Sequence, residues 1–255
     1  MPEGDSVLRT ARRLDTALTG KVLTSTDVRV PRFATTDLAG ETVIGTVARG
    51  KHLLTRIGER WTLHTHLKME GTWVVLGPGQ RWPRPAHTAR VVLTAGDTQA
   101  VGFALGITEL LPRDRERDAV GHLGPDLLGE DWDEQEAVRR LLTHPEEPVF
   151  DALRDQTSLA GLGTIWAAET CFTMGLHPLV PVAAVPDLVR TVRVARLKLR
   201  QAADGRGRAA PLAVYGRQRA ACRRCGTPVA ALETGPQGQQ RTAYFCPACQ
   251  PERVP

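Results

Sequence analysis

Pro2 and Glu3 stand side by side in the opening stretch "MPEGDSV". Pro at position 2 has a small side chain, so the initiator Met is expected to be removed. That would leave a secondary amine next to a carboxylate. An α-amine has a pKa of about 8 against about 10.4 for Lys, so far more of it is neutral and nucleophilic at pH 7. The plainer alternative is a terminus without a role. A second set of reactive side chains lies at the other end of the chain. Cys222, Cys225, Cys246 and Cys249 follow the pattern C-x2-C-x20-C-x2-C. Paired C-x-x-C knuckles at this spacing can give two thiolates each to one tetrahedral Zn2+, and four Cys leave no open position. The expectation is one structural zinc per chain; redox-active pairs are the alternative. The fifth cysteine, Cys171, sits among Trp166, Ala167, Ala168 and Phe172 and reads as a core thiol.

Both sets need scaffolds, and the chain is long enough to supply them. Its 255 residues allow two modest domains with real cores, and 42% hydrophobic against 24% charged residues is a globular balance. No apolar run approaches the roughly 20 residues of a membrane span. Glu3, Asp5, Arg9, Arg12, Arg13 and Asp15 leave no room for a signal-peptide core, so a cytoplasmic protein without a membrane partner is expected. The net charge of +5 is unevenly spread. Residues 190–255 hold 13 Lys and Arg against 3 Asp and Glu, whereas residues 1–189 hold 20 against 25. A tail of +10 on a body of −5 points to a polyanionic partner or to a solvated basic helix.

The elements follow from periodicity. Val7, Ala11, Leu14 and Leu18 recur at helical spacing from Asp5 to Leu18. Residues 21–111 then break into short β-forming runs ("KVLTSTDVRV", "TVIGTVARG", "HLLTRI", "WTLHTHL", "TWVVLG", "ARVVLTAG", "QAVGFAL"), which predicts an antiparallel sandwich or barrel. Residues 112–136 are polar and read as a linker running into a helix. Helices are expected near 134–142, 147–154, 164–174 and 186–203, and a cysteine-bearing β-hairpin in 211–255. In "DQTSLAGLGTIWAAETCF", Gly161 and Gly163 allow tight turns, and Thr164 is expected to act as an N-cap. The start of that helix could hold a phosphate, although a plain helical hairpin has the same pattern.

Taken together, "MPEGDSV", "RGKHLL", "HLKMEG", "DQTSLAGLGTIWAAE" with "GLHP", "VYGR" and "RTAYFCPACQ" resemble the formamidopyrimidine-DNA glycosylase/endonuclease VIII family, in order and spacing, from residue 2 to about 250. The resemblance implies an α+β fold. An N-terminal helix and antiparallel β-sandwich (1–120) would be followed by a helix–two-turn–helix domain (121–210) and a zinc β-hairpin finger (211–255). It implies a monomeric, nucleoid-associated bacterial enzyme of base excision repair. Such an enzyme excises oxidised bases from double-stranded DNA and cleaves abasic sites by β,δ-elimination through a Schiff base. On this resemblance Pro2 is the nucleophile toward sugar C1′ and Glu3 the proton donor in ring opening. Lys51 is the cation near the lesion phosphate that serves β-elimination. Arg241 is the finger arginine that holds phosphate and serves δ-elimination, and Met69 wedges into the stack left by the flipped base. Gly163, Thr164, Tyr215 and Arg217 fall in the family's DNA-binding motifs.

The chain also departs from the family's pattern. Many members continue "MPEGPE" where this chain has Asp5-Ser6. A phosphate-binding Asn is replaced by Thr164. The Arg-Phe pair inserted opposite the orphan base is absent from "VGFALGITELL". Only about a dozen residues separate the basic helix from "VYGR", too few for the segment that caps a flipped purine. That favours the endonuclease VIII-like branch and oxidised pyrimidines or abasic sites. Two other readings stand beside it: a non-catalytic damaged-DNA-binding paralogue that keeps the finger, and an unrelated zinc-ribbon protein that binds RNA. A binder has no need of the Pro2 amine, and a ribbon alone would not carry "DQTSLAGLG".

Overall fold

Helix α1 (Gly4–Leu18) forms where apolar side chains recur every three to four residues. Val7, Ala11, Leu14 and Leu18 are buried, whereas Arg12 and Arg13 on the opposite face are exposed. Its first turn is closed by Ser6, whose hydroxyl accepts the Glu3 N–H at 3.0 Å. The serine that departs from the family's pattern thus serves as a cap. A computed structural model describes residues 2–205 and 211–252. It divides into two compact units, Met1–His122 and Leu123–Pro255. Residues 206–210, in the short segment before "VYGR", lie outside the described residues.

The first unit is a two-sheet sandwich. Its strands are β1 (Ser25–Val28), β2 (Val43–Arg49), β3 (His52–Ile57), β4 (Trp61–His66), β5 (Thr72–Leu76), β6 (Ala89–Ala95), β7 (Thr98–Phe103) and β8 (Ile107–Pro112). One antiparallel sheet has the order β2-β3-β4-β8 and the other β1-β6-β7-β5. Alternation decides the inner faces: Leu53, Ile57 and Leu63 from one sheet meet Trp73, Val91, Leu93 and Ala100 from the other, with α1 in the same core. Truncating a side chain such as Leu14 there would cost about 2–5 kcal/mol. Strand β8 falls outside the β-forming runs of the sequence reading. Its residues "ITELLP" fall at the end of the β-forming region without a run of their own, yet they pair along the whole of β4. Within the polar stretch that follows, a short helix, α2 (Glu116–Val120), replaces the expected linker. It is held by the two-pronged ion pair from Arg56 to Glu116, with both bonds 2.9 Å.

The second unit is helical with a two-stranded hairpin. It contains α3 (Glu134–Leu141), α4 (Val149–Ala152), α5 (Thr164–Met174), α6 (Leu188–Ala203), β9 (Ala230–Thr234) and β10 (Arg241–Phe245). Asp133 and Asp187 cap α3 and α6 by accepting the N–H of Glu136 and Arg190. The helix α5 ends at Gly175 in the left-handed conformation. Gly163 is the N-cap of α5, so Thr164 sits one place inside the helix rather than capping it as the sequence suggests. Helices and hairpin share one core, in which Phe150, Leu153, Ala168, Phe172 and Leu199 pack with Val214, Cys222, Val229, Ala243 and Cys246. Cys171 is fully buried among them, and burial pushes its thiol pKa up to about 12, as expected of an inert core cysteine.

Candidate functional site

One end of the sheet β2-β3-β4-β8 gathers the N-terminal candidates. The register sets Arg49 opposite His52, His52 opposite His66 and His66 opposite Ile107, so one row crosses all four strands. The two residues between Arg49 and His52 are Gly50 and Lys51. Gly50 has φ +58°, the left-handed value that a two-residue hairpin turn needs at its first central position, and this turn projects Lys51 from the sheet end. Three residues beyond His66, Met69 stands 65% exposed between exposed Lys68 and Glu70. A core role for Met69 is thereby excluded. The Gly71 N–H closes this turn on the Leu67 carbonyl at 2.9 Å, and Arg84 donates to the Glu70 carbonyl at 2.9 Å.

Helix α1 brings Pro2 and Glu3 to the same end. Two bonds set its direction against β2: Gly20 N–H to the Val43 carbonyl at 2.8 Å, and Thr46 N–H to Asp15 Oδ1 at 2.9 Å. Helix numbers fall as strand numbers rise, so the pair is antiparallel. From Asp15 to Gly4 the helix covers about 16 Å, and from Thr46 to Gly50 the strand covers about 13 Å. The start of α1 therefore arrives beside the Gly50–Lys51 turn. Pro2 is half-buried, and Glu3 is only 1% exposed, which rules out a solvated surface charge.

A histidine cluster that the sequence reading passed over lies on the outer face of this sheet. His64 Nδ1 lies 3.0 Å from Glu109 Oε2, and His52 Nδ1 lies 2.8 Å from His64 Nε2. A carboxylate only accepts, so the His64 Nδ1–H donates to Glu109. His66 and His122 add edge-on rings at 4.8 and 6.2 Å from the His52 ring. Burial, then the positive fields of His66, His64, His122 and Lys68, lower the His52 pKa to about 3. Burial, then Lys68, Lys51 and His64, lower that of His66 to about 4. Both rings are neutral near pH 7, and Lys51 lies within electrostatic reach of His66. The available signal was "HTH" inside a strand: residues two apart share a face.

The second unit carries the remaining candidates. The Sγ atoms of Cys222, Cys225, Cys246 and Cys249 all lie within 4.8 Å of one another. Cys225 Sγ is 3.5 Å from Cys246 Sγ and 3.4 Å from Cys249 Sγ. A tetrahedral zinc with bonds of about 2.3 Å to sulfur needs edges of about 3.8 Å, so the four thiols fit one such ion. Arg224 N–H points at Cys222 Sγ (3.4 Å), and buried Gln250 links the second knuckle to the residue just past the C-cap of α5 by donating to the Leu176 carbonyl at 2.7 Å.

Gly163 and Thr164 are buried at the start of α5. Five residues on, buried Glu169 accepts the backbone N–H groups of Ala213 (3.0 Å), Val214 (2.9 Å) and Tyr215 (3.0 Å). Sequence reading missed this role, because nothing in "WAAE" says which distant amides a glutamate will meet. Tyr215 packs edge-on against Tyr244, ring centres 5.2 Å apart. Arg217 donates to the carbonyls of Ala213 (2.6 Å) and Ala221 (2.8 Å), so its guanidinium closes the loop ahead of the first knuckle. Arg241 opens β10 with an exposed side chain that donates only to the carbonyls of Gln239 and Gln240 among the described residues. No carboxylate pairs with it there.

A β-sandwich led by a helix whose N-cap follows a proline, together with a helical unit bearing a four-cysteine hairpin, defines a class with known relatives. A family model described as formamidopyrimidine-DNA glycosylase N-terminal domain matches residues 1–104. The Streptomyces coelicolor protein named "Probable endonuclease 8 2" is 46% identical over 264 residues, spanning 100% of this chain and 96% of its own. "DNA-(apurinic or apyrimidinic site) lyase Nei2" of Mycolicibacterium smegmatis is 44% identical over 258 residues, spanning 98% and 99%. The crystal structure of Lactococcus lactis formamidopyrimidine-DNA glycosylase bound to DNA containing an AP site has the same fold. Its TM-score is 0.84 at 24% identity, over 98% of this chain and 100% of that one. The chain belongs to the formamidopyrimidine-DNA glycosylase/endonuclease VIII family, in its endonuclease VIII-like branch.

Proposed function

We propose that this protein is a bifunctional DNA glycosylase and abasic-site lyase of base excision repair, with oxidised pyrimidines and abasic sites in double-stranded DNA as substrates. The reading is supported by half-buried Pro2 and buried Glu3 at the start of α1, which runs antiparallel to β2 toward the Lys51 turn, in a chain whose full-length relatives bear endonuclease 8 and abasic-site lyase names. A non-catalytic binder would have no use for that arrangement. Once the initiator Met is removed, the Pro2 nitrogen attacks C1′ and the base leaves with the bonding pair. Pro2 lies just ahead of the N-cap of α1, where the positive end of the helix dipole favours the uncharged amine. Glu3 delivers a proton to the ring oxygen as the sugar opens. A secondary amine gives a cationic iminium directly, and this electron sink acidifies the C2′ proton. Loss of that proton breaks the C3′–O bond with Lys51 beside the departing phosphate. Loss of the C4′ proton then breaks the C5′–O bond, with the phosphate held by Arg241, whose forked guanidinium suits phosphate oxygens. Water finally releases the sugar remnant from Pro2.

In the same reading Met69 fills the gap left by the extruded base, which must leave the stack before C1′ can be reached. The start of α5 at Gly163 and Thr164, with Tyr215 and Arg217, grips the DNA backbone. Cys222, Cys225, Cys246 and Cys249 hold one structural Zn2+ that fixes the hairpin carrying Arg241. The enzyme acts as a monomer on the bacterial nucleoid. Borohydride trapping on an abasic-site duplex tests the core of this proposal. The mature chain should give a covalent adduct that peptide mapping places on Pro2. A chain extended before Pro2 should give none, because the amine becomes an amide. Trapping and cleavage at the normal rate by the extended chain would remove Pro2 from the mechanism and make Lys51 the next nucleophile to test.

A further inference from the structure

Arg241 pairs in the β9–β10 ribbon with Thr234. A two-stranded ribbon twists strongly and is marginal by itself, so the direction of Arg241 depends on what holds each end of the hairpin. The knuckle end is held by the cysteine cluster, by Gln250 on the Leu176 carbonyl, and by Arg224 lying over the Phe172 ring at 4.3 Å. The turn end is held from a helix. Thr234 Oγ1 donates to Asp151 Oδ2 of α4 at 2.5 Å, and Arg154 Nη1 donates to Asp151 Oδ1 at 2.5 Å. Thr234 is 8% exposed and the Asp151 side chain 9%. Arg154 in turn lies over the ring of fully buried Phe150, 4.9 Å from its centre. The carboxylate therefore sits between a cation stacked on the core and a hydroxyl on the hairpin, so each of its oxygens has a partner.

We propose that Asp151 and Thr234 are positioning residues for Arg241, and that they set the efficiency of δ-elimination without touching the DNA. The inference rests on the role given to Arg241 above. Asp151 anchors the strand position directly opposite the arginine, so losing the bond lets the turn end shift on α4 while the metal end stays in place. Because Pro2 and Lys51 lie in the other unit, base loss and β-elimination should be indifferent to it.

The test is a single-turnover assay on an abasic-site duplex that separates β from β,δ products, run with borohydride trapping, zinc content and a thermal melt. Thr234→Val should slow the δ step about five-fold, the loss of roughly one hydrogen bond. The β step, the trapping yield and the zinc content should stay as in the parent. Thr234→Ser, which keeps the hydroxyl, should restore the δ step. If Thr234→Val does not fold, the smaller Thr234→Ala carries the same expectation. A variant that slows β and δ equally, or leaves δ unchanged while Arg241→Ala slows it, would overturn the proposal. If Arg241→Ala itself leaves δ unchanged, the reading of Arg241 falls first and the tether's role with it.

Discussion

Single carboxylates organise much of this molecule, and Glu169 shows it most directly. It lies within a helix, is buried, and satisfies three backbone N–H groups of a loop some forty-five residues away. Glu169→Ala would leave those donors buried without partners, at about 2–4 kcal/mol. Urea denaturation should show that loss, and Glu169→Gln, which keeps one accepting oxygen, should show less. Glu3 is the counterpart in the first unit, and its burial fits a proton donor better than a surface ion pair. Glu3→Gln should spare abasic-site cleavage more than base removal, because help with protonation matters most while the base is attached. The two rates, measured on one lesion duplex and one abasic duplex, check this. Met69 makes the opposite case. It is a hydrophobe with little to lose on truncation, so Met69→Ala should change stability by less than about 0.5 kcal/mol while weakening lesion binding.

At the scale of elements, the β3–β4 pair follows the Lys51 turn and carries most of the histidine cluster, so its pH behaviour is predictable. His52 and His66 have folded pKa values of about 3 and about 4, below the unfolded value of 6.5. Between those limits the unfolded chain binds protons that the folded chain does not, so stability rises with pH there. It is complete above about pH 6.5 and falls on acidification by up to about 1.4 kcal/mol per pH unit for each histidine. Melting curves from pH 7.5 to 5 should show the slope, and His52→Asn should make it shallower; an unchanged slope would mean that His52 takes up a proton without strain. The hairpin element behaves differently. Cys222 and Cys246 belong to the same core as α5 and α6, so Cys246→Ser should lose the proposed zinc and loosen the whole second unit. The sandwich, with its own core, should keep its melting transition, and elemental analysis with two-probe melting would separate the two effects.

At the scale of the whole molecule, the +10 tail looks different once its partners are visible. Arg193 is paired with Glu134, Arg196 lies on Trp132 and the Leu127 carbonyl, Arg217 holds backbone carbonyls, and Arg224 lies on Phe172. Several of the cations counted in the sequence therefore serve the fold. DNA affinity should still fall steeply with salt, because each neutralised phosphate releases a condensed counterion. Arg241→Ala should reduce the slope of log affinity against log salt by about one contact, whereas a charge already committed to the fold, such as Arg193, should leave it unchanged on substitution. Lesion choice belongs to this scale too, since it depends on what covers the extruded base. With so short a segment ahead of Val214, thymine glycol, dihydrouracil and abasic sites should be cut faster than 8-oxoguanine opposite C, and a lesion panel reads this directly.

What the sequence alone determined is local or periodic. Val7, Ala11, Leu14 and Leu18 announced α1, short β-forming runs announced the sandwich strands, and the Cys spacing announced the four-thiol cluster, because each pattern repeats a geometry set by a few bonds of chain. Motifs spread from Pro2 to Gln250 identified the family. What only the tertiary structure decided depends on partners remote in sequence. Strand β8 exists because β4 offers an edge to pair with, not because "ITELLP" favours extension. Met69 is exposed and Glu3 buried for reasons lying in the turn and the helix around them. The His52–His64–Glu109 chain needs three strands in register, Glu169 meets its amides only after α5 packs on the loop, and Asp151 reaches Thr234 across eighty-three residues of sequence. Hydrogen bonds and burial are properties of neighbours in space, and linear spacing carries no record of them.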